Sequence, residues 1–249
     1  MGKRVLVIAA CVIAALCLLR FLPSARAADL PVNLPSARSA DLPVNLLSAR
    51  SAMAGSGRNY IIDAGHGGAD GGAVEGDVIE SQLNLQVALK LDALMGLFGK
   101  TAILTRDSNE LDYPADADTL RKMKTADSNS RRALVRSTPN AVFISIHQNK
   151  FKSASAHGAQ VFYGRGDGSR ELAELLQESM RVVLEPSNSK KPKLISDKIF
   201  LMQDTGCPAV LVECGFISNP SERELLTNDA YQTKIAAALL SGLLQSIEQ

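Results

Sequence analysis

Short apolar runs alternate with longer amphipathic segments from about residue 58 to the end of the chain. Runs rich in β-branched and aromatic residues are typical of strands, and they occupy residues 60–64, 101–106, 141–147, 159–163 and 209–213. Apolar positions spaced by three or four residues predict helices over 80–97, 128–136, 169–184 and 229–247. This alternation predicts a single α/β domain, with a mostly parallel or mixed central sheet and helices on both faces.

The first 27 residues have the layout of an export signal. Lys3 and Arg4 precede an apolar run from Val5 to Leu19. A membrane-spanning helix needs about 20 apolar residues, so this run better fits the apolar part of a secretory signal. The small residues of the segment 25–27, Ala-Arg-Ala, suit cleavage by signal peptidase. We therefore predict a signal peptide or an uncleaved N-terminal anchor over 1–27, and an exported remainder.

A 12-residue repeat fills the next segment. The unit Leu-Pro-Ser-Ala-Arg begins at Leu22, recurs at Leu34 and starts once more, with Leu in place of Pro, at Leu46. Twelve residues are too few for a solenoid unit, and the prolines interrupt helices and strands alike. We interpret residues 28–57 as a flexible tether without chemistry of its own, and residues 58–249 as the folded catalytic domain.

Charge and composition exclude several classes of function. The net charge of +1 at pH 7 gives no electrostatic basis for binding nucleic acid. Aromatic residues make up 4% of the chain and Trp is absent, which disfavours a stacking platform for bases or sugars. Cys207 and Cys214 flank a predicted strand, so their Cα atoms would lie about 20 Å apart. We expect two separate buried thiols, and neither a disulfide nor a thiolate zinc site.

Side chains able to carry chemistry follow three of the predicted strands. His66 lies in a Gly-rich turn after the run 60–64, His147 closes the run that begins at 141, and Glu213 ends the run 209–213. In open α/β sheets, ligands bind at the carboxyl ends of the strands. Each residue alone would be explained as structural, but their joint placement predicts a functional site.

Two histidines are too few for a three-His zinc site unless His157 joins them, so a carboxylate is the expected third ligand. Glu75, Asp77 and Glu80 all follow His66 closely. Glu80 opens the helix after the Gly-rich loop, but spacing alone favours it only weakly over the other two carboxylates.

Four segments of the chain resemble the zinc N-acetylmuramoyl-L-alanine amidases of amidase family 3. They are Asp63-Ala-Gly-His-Gly-Gly-Ala-Asp-Gly-Gly-Ala, Glu80-Ser-Gln-Leu-Asn-Leu, Ser145-Ile-His-Gln-Asn and Val212-Glu-Cys-Gly-Phe-Ile-Ser-Asn-Pro. They occur in the family's order, and the resemblance extends over about 60–247. Segments 147–152, 158–163 and 231–234 are similar to the germination-specific amidases of spore-forming bacteria. Ala64 replaces a proline of many relatives, a departure that should leave the metal site intact.

The resemblance implies a role for each site residue. His66, Glu80 and His147 would bind Zn²⁺, and Glu213 would be the catalytic acid and base. Two neutral imidazoles and one carboxylate leave the zinc centre with a net charge of +1, so it can lower the pKa of a bound water to about 7. The implied reaction is zinc-dependent hydrolysis of the amide bond between the lactyl group of N-acetylmuramic acid and L-alanine in peptidoglycan.

The likeness to germination-specific amidases also implies a setting. The enzyme would remove peptides from spore cortex ahead of muramic-δ-lactam formation, in the cell wall or the forespore intermembrane space. Its implied partners are the peptidoglycan substrate, a lipoprotein activator and a downstream deacetylase. A membrane would be contacted only through the N-terminal segment.

The sequence leaves alternative roles open for several residues and alternative functions open for the chain. Asp63 either orients His66 or serves a cap or turn, and Arg131 and Arg132 either contact an acidic muropeptide or lie on a solvated helix face. His157 matches no ligand of the family and is expected at the surface. A zinc exopeptidase or deacylase on a similar fold, and a non-catalytic wall-associated scaffold, are the competing functions. The presence of all four site residues disfavours the scaffold.

Overall fold

A six-stranded sheet lies at the centre of the computed structural model, which describes residues 53–247. The chain order of its strands and of a separate small hairpin is β1 (Asn59–Ala64), β2 (Val74–Glu75), β3 (Val78–Ile79), β4 (Ile103–Leu104), β5 (Ala141–Asn149), β6 (Gln160–Tyr163), β7 (Lys193–Leu194) and β8 (Ala209–Phe216). The sheet has the order β4-β1-β5-β8-β6-β7, and β2 pairs with β3. The predicted segment 1–27 and the tether up to residue 52 lie outside the described residues.

The sheet is mixed, as the alternation of strands and helices predicted. Strands β4, β1, β5 and β8 run parallel to one another. Strand β6 pairs antiparallel with β8 and parallel with β7. The carboxyl ends of β1, β5 and β8 therefore meet at one edge of the sheet, where ligand sites of α/β folds form.

Helices cover both faces of this sheet. They are α1 (Glu80–Leu97), α2 (Leu120–Ser137), α3 (Ser169–Leu184), α4 (Pro220–Thr227) and α5 (Asp229–Ile247). Helices α1, α3, α4 and α5 share the larger apolar core with one set of alternating strand residues. Helix α2 and a 3₁₀ turn, Phe200–Met202, cover the opposite face over a smaller core that includes Val135 and Met202.

The sheet face beneath α2 changes character along the strands. Ile61, Phe143 and Ala209 are in register and form an apolar layer. Two residues further along β1 and β5, toward the carboxyl edge, Asp63 lies opposite Ser145. Two residues beyond Ser145 on β5, His147 lies opposite Glu213 of β8. Because side chains alternate between faces with a period of two, these polar residues share the face of α2. The face under α2 is thus polar at the carboxyl edge of the sheet.

Helix α2 is longer than the sequence predicted. It begins at Leu120 rather than at residue 128, and the side chain of Thr119 caps it by accepting a hydrogen bond from the backbone amide of Lys122 at 3.3 Å. Residues 120–127 are mostly polar and lie at the surface, so no apolar periodicity marks this part of the helix. The predicted strand 101–106 is shorter than expected, since β4 is an edge strand that pairs on one side only.

The packed part of the chain reaches upstream of residue 58, where the sequence predicted the domain to begin. Met53 is fully buried in the larger core. The guanidinium of Arg58 donates to the backbone carbonyl of Ser246 at 3.1 Å, which ties this segment to the end of α5. Between residues 53 and 247, none of the helices combines the length and apolar character needed to cross a membrane.

Both cysteines of the described chain are buried and free, as predicted. Cys214 lies in the larger core and Cys207 in the smaller core, so the sheet separates them. Burial raises the pKa of each thiol above its ordinary value. The thiols therefore stay protonated near neutral pH and are poor metal ligands.

A glycine sets the distance between α3 and α5. A Cβ atom at Gly242 would lie 2.7 Å from the Cδ2 atom of Leu176 and 3.0 Å from its Cα atom. Alanine gains about 1 kcal/mol of helix propensity over glycine, but overpacking against a neighbouring backbone costs about 1–3 kcal/mol. We expect Gly242→Ala to lower the free energy of unfolding, as measured by urea denaturation.

The matched control is Gly96→Ala in α1. A Cβ atom there has no neighbour within 4 Å, so the helix-propensity term acts alone and the free energy of unfolding should rise. Equal stabilisation by the two substitutions would contradict the close approach of α3 and α5 at Gly242.

Candidate active site

Three side chains from separate segments converge at the carboxyl edge of the sheet. His66 lies in the loop after β1, Glu80 is the first residue of α1, and His147 lies on β5. One nitrogen or carboxylate oxygen of each lies within 4.8 Å of the others. The Nε2 atom of His66 is 3.4 Å from Oε2 of Glu80, and the Nδ1 atom of His147 is 2.9 Å from Oε1 of the same carboxylate.

This donor set fits a tetrahedral divalent metal. Zinc bound at about 2.0–2.2 Å places its ligand atoms about 3.3 Å apart, close to the 3.4 Å between His66 and Glu80. Imidazole nitrogens suit zinc and its transition-metal neighbours, whereas Ca²⁺ and Mg²⁺ prefer oxygen ligands. The three residues can therefore hold a metal of the zinc type and leave a coordination position open.

The carboxylate of Glu80 is fixed by donors around it. Its Oε2 atom accepts from the backbone amide of Ala73 at 2.8 Å, and its Oε1 atom accepts from the amide of Gln148 at 3.2 Å and from Nδ2 of Asn84 at 3.3 Å. Burial alone would raise the pKa of Glu80, but its hydrogen bonds with the two histidines outweigh burial and hold that pKa well below its ordinary value. Glu80 is therefore a preformed anion between the two imidazoles.

Asp70 orients His66, and this partner was missed from the sequence. The Oδ2 atom of Asp70 lies 2.8 Å from Nδ1 of His66 and 3.0 Å from the ammonium of Lys124. A carboxylate on one ring nitrogen fixes the tautomer and directs the other nitrogen to the metal. Burial would lower the pKa of His66, but Glu80 and Asp70 outweigh burial and raise it to about 9.

Asp63 serves neither of the roles expected from the sequence. It is fully buried and accepts hydrogen bonds from the guanidinium of Arg131 at 2.7 Å, from Thr105 Oγ1 at 2.7 Å and from Ser145 Oγ at 2.5 Å. Burial alone would raise the pKa of Asp63, but these partners outweigh it and lower that pKa. Arg131 is likewise buried, so its predicted position on a solvated helix face is wrong, and it lines the same cleft as His66 and His147.

Two buried arginines hold the loop that carries His66. Arg131 donates to the carbonyl of Ala64 at 3.0 Å and to that of His66 at 2.6 Å. Arg106 donates to the same Ala64 carbonyl at 2.8 Å and to that of Gly65 at 3.2 Å. His66 has a φ of 62°, an unfavourable value for a residue with a side chain, so these bonds stabilise a strained backbone. Arg106 was not predicted as a functional residue, because its one sign in the sequence was a charge at the end of a predicted strand.

Glycines let the backbone approach the converging side chains. A Cβ atom at Gly72 would lie 2.6 Å from Oε2 of Glu80 and 2.7 Å from the His66 ring. A Cβ atom at Gly65 would overlap the ring of His147, a contact that the sequence did not reveal. Any side chain at either position would displace a metal-binding group.

Glu213 lies beside the metal-binding residues without joining them. It pairs in register with His147 across β5 and β8, and both line one cleft of ≈ 640 Å³ with His66 and Glu80. Its Oε2 atom is buried and has no hydrogen-bond partner in the part of the chain that the structure describes. Burial, aided by the negative charge of Glu80, raises the pKa of Glu213 to about 7. Such a carboxyl can both accept and return a proton near neutral pH.

The other candidates from the sequence lie away from this cluster. Glu75 pairs with Lys150 at 3.0 Å, and Asp77 is exposed. His157 is at the surface, as predicted, and lies 3.1 Å from Glu185. The guanidinium of Arg132 stacks over the ring of Phe200 on the wall of the cleft.

Comparison with known proteins identifies the family. The sequence profile of the N-acetylmuramoyl-L-alanine amidases matches residues 61–245. The chain belongs to this family. The amidase residues matched extend from within β1 into α5, so they include nearly the whole sheet and every residue of the converging cluster.

Relatives of this amidase include a germination-specific enzyme. The germination-specific N-acetylmuramoyl-L-alanine amidase of Bacillus subtilis is 36% identical over 191 residues, which are 76% of this chain and 80% of that protein. The probable cell wall amidase LytH of Staphylococcus saprophyticus is 29% identical over 189 residues, 75% of this chain and 57% of that protein. The likeness to germination-specific amidases predicted from the sequence is confirmed.

A solved structure shares the fold closely. The CwlD amidase from Clostridioides difficile, in complex with the GerS lipoprotein, superposes with a TM-score of 0.74 and 35% identity, over 77% of this chain and 98% of that chain. An N-acetylmuramoyl-L-alanine amidase from Clostridium difficile 630 superposes with a TM-score of 0.65 and 26% identity, over 77% of this chain and 97% of that one.

Metal binding by this amidase should release a proton. With its pKa raised to about 9, metal-free His66 is protonated at pH 7.5, and coordination through Nε2 displaces that proton. We expect about one proton released per Zn²⁺ bound, and an apparent affinity that rises about tenfold per pH unit from 6.5 to 9. Calorimetric titrations in buffers of different ionisation enthalpy measure the release.

Two variants test the origin of this proton. Asp70→Asn should reduce the proton release and weaken zinc binding about 10–100-fold, whereas His157→Ala should change neither. The raised pKa stabilises the metal-free amidase below pH 6.5, and this stability is lost as the pH rises through about 9. Zinc binding without proton release at pH 7.5 would contradict the assigned state of His66.

Proposed function

We propose that this chain is a zinc-dependent amidase that hydrolyses the bond between the lactyl group of N-acetylmuramic acid and L-alanine in peptidoglycan. The observation that carries the proposal is the arrangement of His66, Glu80 and His147 within 4.8 Å, with the unpartnered carboxyl of Glu213 in the same cleft. Membership of the amidase family supports the bond cleaved.

His66, Glu80 and His147 would hold the zinc ion through Nε2, the carboxylate and Nδ1. When bound there, Zn²⁺ supplies Lewis-acid chemistry that polarises a carbonyl and acidifies a water. The protein keeps these ligands rigid through Asp70 on His66 and through the backbone amides on Glu80. Rigid ligands reduce the reorganisation needed when charge develops on the substrate carbonyl.

Glu213 would move the proton. Its carboxylate takes a proton from the attacking water as the oxygen bonds to the lactyl carbonyl carbon, and it then delivers that proton to the L-alanine nitrogen as the C–N bond breaks. A pKa raised to about 7 suits both proton transfers, the uptake from water and the delivery to the L-alanine nitrogen. The absence of a hydrogen-bond partner for Oε2 in the described chain leaves a lone pair available to the water.

The biological setting follows from the relatives. The germination-specific relative supports action on spore cortex, where removal of the peptide exposes muramic acid to a deacetylase ahead of muramic-δ-lactam formation. The predicted export signal over 1–27 would deliver the enzyme to the cell wall or the forespore intermembrane space. The GerS complex of the similar CwlD amidase supports a lipoprotein partner for this chain as well.

Analysis of the products tests the reaction itself. Digestion of purified cortex and vegetative peptidoglycan, followed by mass spectrometry, should yield free peptides with L-alanine amino termini and muramic acid with a free lactyl carboxyl. Cleavage within the peptide would indicate an exopeptidase instead, and removal of acyl groups from the sugar would indicate a deacylase. Products that appear with zinc-free enzyme would contradict metal dependence.

The buried carboxylates of Glu80 and Glu213 should have different roles in the reaction. Glu80→Gln replaces a ligand by a neutral amide, so zinc binding should weaken by orders of magnitude. Glu213→Gln should retain zinc and fold but lose at least about 10²-fold in rate, the scale of general acid–base catalysis. Zinc content by mass spectrometry and turnover on peptidoglycan measure the two effects.

Glu75→Gln is the matched control for this pair. Glu75 is a surface carboxylate paired with Lys150, so its substitution should leave both zinc content and rate unchanged. Loss of zinc from Glu213→Gln would make Glu213 a ligand, and near-normal activity of that variant would assign the proton transfer to another group.

A further inference from the structure

The catalytic cleft continues onto a second concavity beside α2. This α2–Phe200 groove has a volume of ≈ 670 Å³ and is lined by Leu120, Arg121, Lys124, Ser128 and Phe200, together with two polar residues of α2. Lys124, Ser128 and Phe200 also line the catalytic cleft. The two concavities are therefore one continuous path that starts at the metal-binding residues.

The groove combines apolar and basic surface. Leu120 and Phe200 are 52% and 46% exposed, large values for apolar side chains of this size. Arg121 contributes a positive charge, and no carboxylate is among the lining residues within 53–247. Lys198, two residues before Phe200, also lines the catalytic cleft and forms no ion pair in the described part of the chain. An occupant with both aliphatic carbon and negative charge would complement this surface.

The Phe200 ring packs against the guanidinium of Arg132. The guanidinium of Arg132 lies 4.3 Å from the ring centroid, and the same guanidinium donates to Asp204 at 3.3 Å. A guanidinium over an aromatic face is attracted by the negative face of the ring, so the contact restrains the ring. The exposed part of the ring therefore forms a fixed apolar surface at the junction of the two concavities.

We propose that the α2–Phe200 groove binds the peptide part of the substrate, an acidic peptide that begins with the L-alanine of the scissile bond. Phe200 and Leu120 would contact its aliphatic carbon, and Lys198 and Arg121 would pair with its carboxylates. This inference rests on the proposed function, because it places the scissile amide at the metal centre and asks which arm of the substrate extends along the groove.

The chemistry of the two arms decides between them. The muramoyl arm carries no free carboxylate next to the scissile bond, since its lactyl carboxyl is the one joined in the amide. The peptide arm ends in at least one free carboxylate. Lys124 is already paired with Asp70, which leaves Lys198 and Arg121 as the cations available to a ligand. Charge complementarity thus favours the peptide arm in this groove.

Direct binding of a product-like peptide tests the proposal without catalysis. The probe is the dipeptide L-alanyl-D-glutamate, titrated into the zinc-loaded protein and followed by NMR shifts of the Phe200 ring and Lys198, with its diamide as the uncharged comparison. We expect the dipeptide to bind more tightly than the diamide. Lys198→Gln and Arg121→Gln should each weaken the dipeptide about two- to fivefold, the range of exposed ion pairs, and should leave the diamide unchanged.

Phe200→Ala should weaken both probes, because it removes apolar contact rather than charge. The controls are Leu97→Ala and Lys100→Gln, which remove similar side chains near the far end of α1, about 26 Å along the helix from Glu80. Equal binding of dipeptide and diamide, equal effects of the controls, or no shifts in the groove would each overturn the proposal. Failure of lactyl–alanine cleavage in the product analysis would instead overturn the proposed function and would leave the peptide titration interpretable.

Discussion

The buried pair of Asp63 and Arg131 is the interaction on which the site depends. Arg131 neutralises a fully buried carboxylate and also binds the carbonyls of the loop that presents His66. Removing one partner of such a pair typically costs about 3–5 kcal/mol, because the other charge stays buried. The pair therefore joins strand β1, helix α2 and the His66 loop into one unit, and it explains why α2 covers this end of the sheet.

The side chains of the site lie on elements with different kinds of rigidity. His147 and Glu213 lie on adjacent strands of the sheet, so their relative position is fixed by the backbone ladder. His66 lies in a loop with an unfavourable φ, so its position depends on Arg106 and Arg131. Strained backbone at a functional site persists only where surrounding bonds enforce it. The two arginines supply those bonds and so hold the His66 imidazole next to Glu80.

One face of the sheet carries most of the stabilising core, and the other face carries the candidate site. The larger core, under α1, α3 and α5, is apolar over most of the strand length, and buried Gln148 donates to Asn84 of α1 at its carboxyl end. The face under α2 is apolar at one end and polar at the other, where Asp63, His147 and Glu213 lie. Helix α2 and the Phe200 turn cover the apolar end and also Asp63, to which Arg131 of α2 binds. The part of this face that carries His147 and Glu213 stays open as a cleft.

Apolar periodicity is a local property and parallel strands share an edge, so the sequence predicted the fold class and the placement of His66, His147 and Glu213 at one edge of the sheet. The strand bounds were predicted less well, since β4 spans only 103–104 and β5 and β8 continue past residues 147 and 213. The choice of Glu80 came from family resemblance, since spacing left three carboxylates open. The contacts of Asp70 with His66 and of Asp63 with a buried arginine are visible only in the folded chain. A side chain's hydrogen-bond partner depends on which distant segments pack against it, and spacing along the chain does not encode that contact.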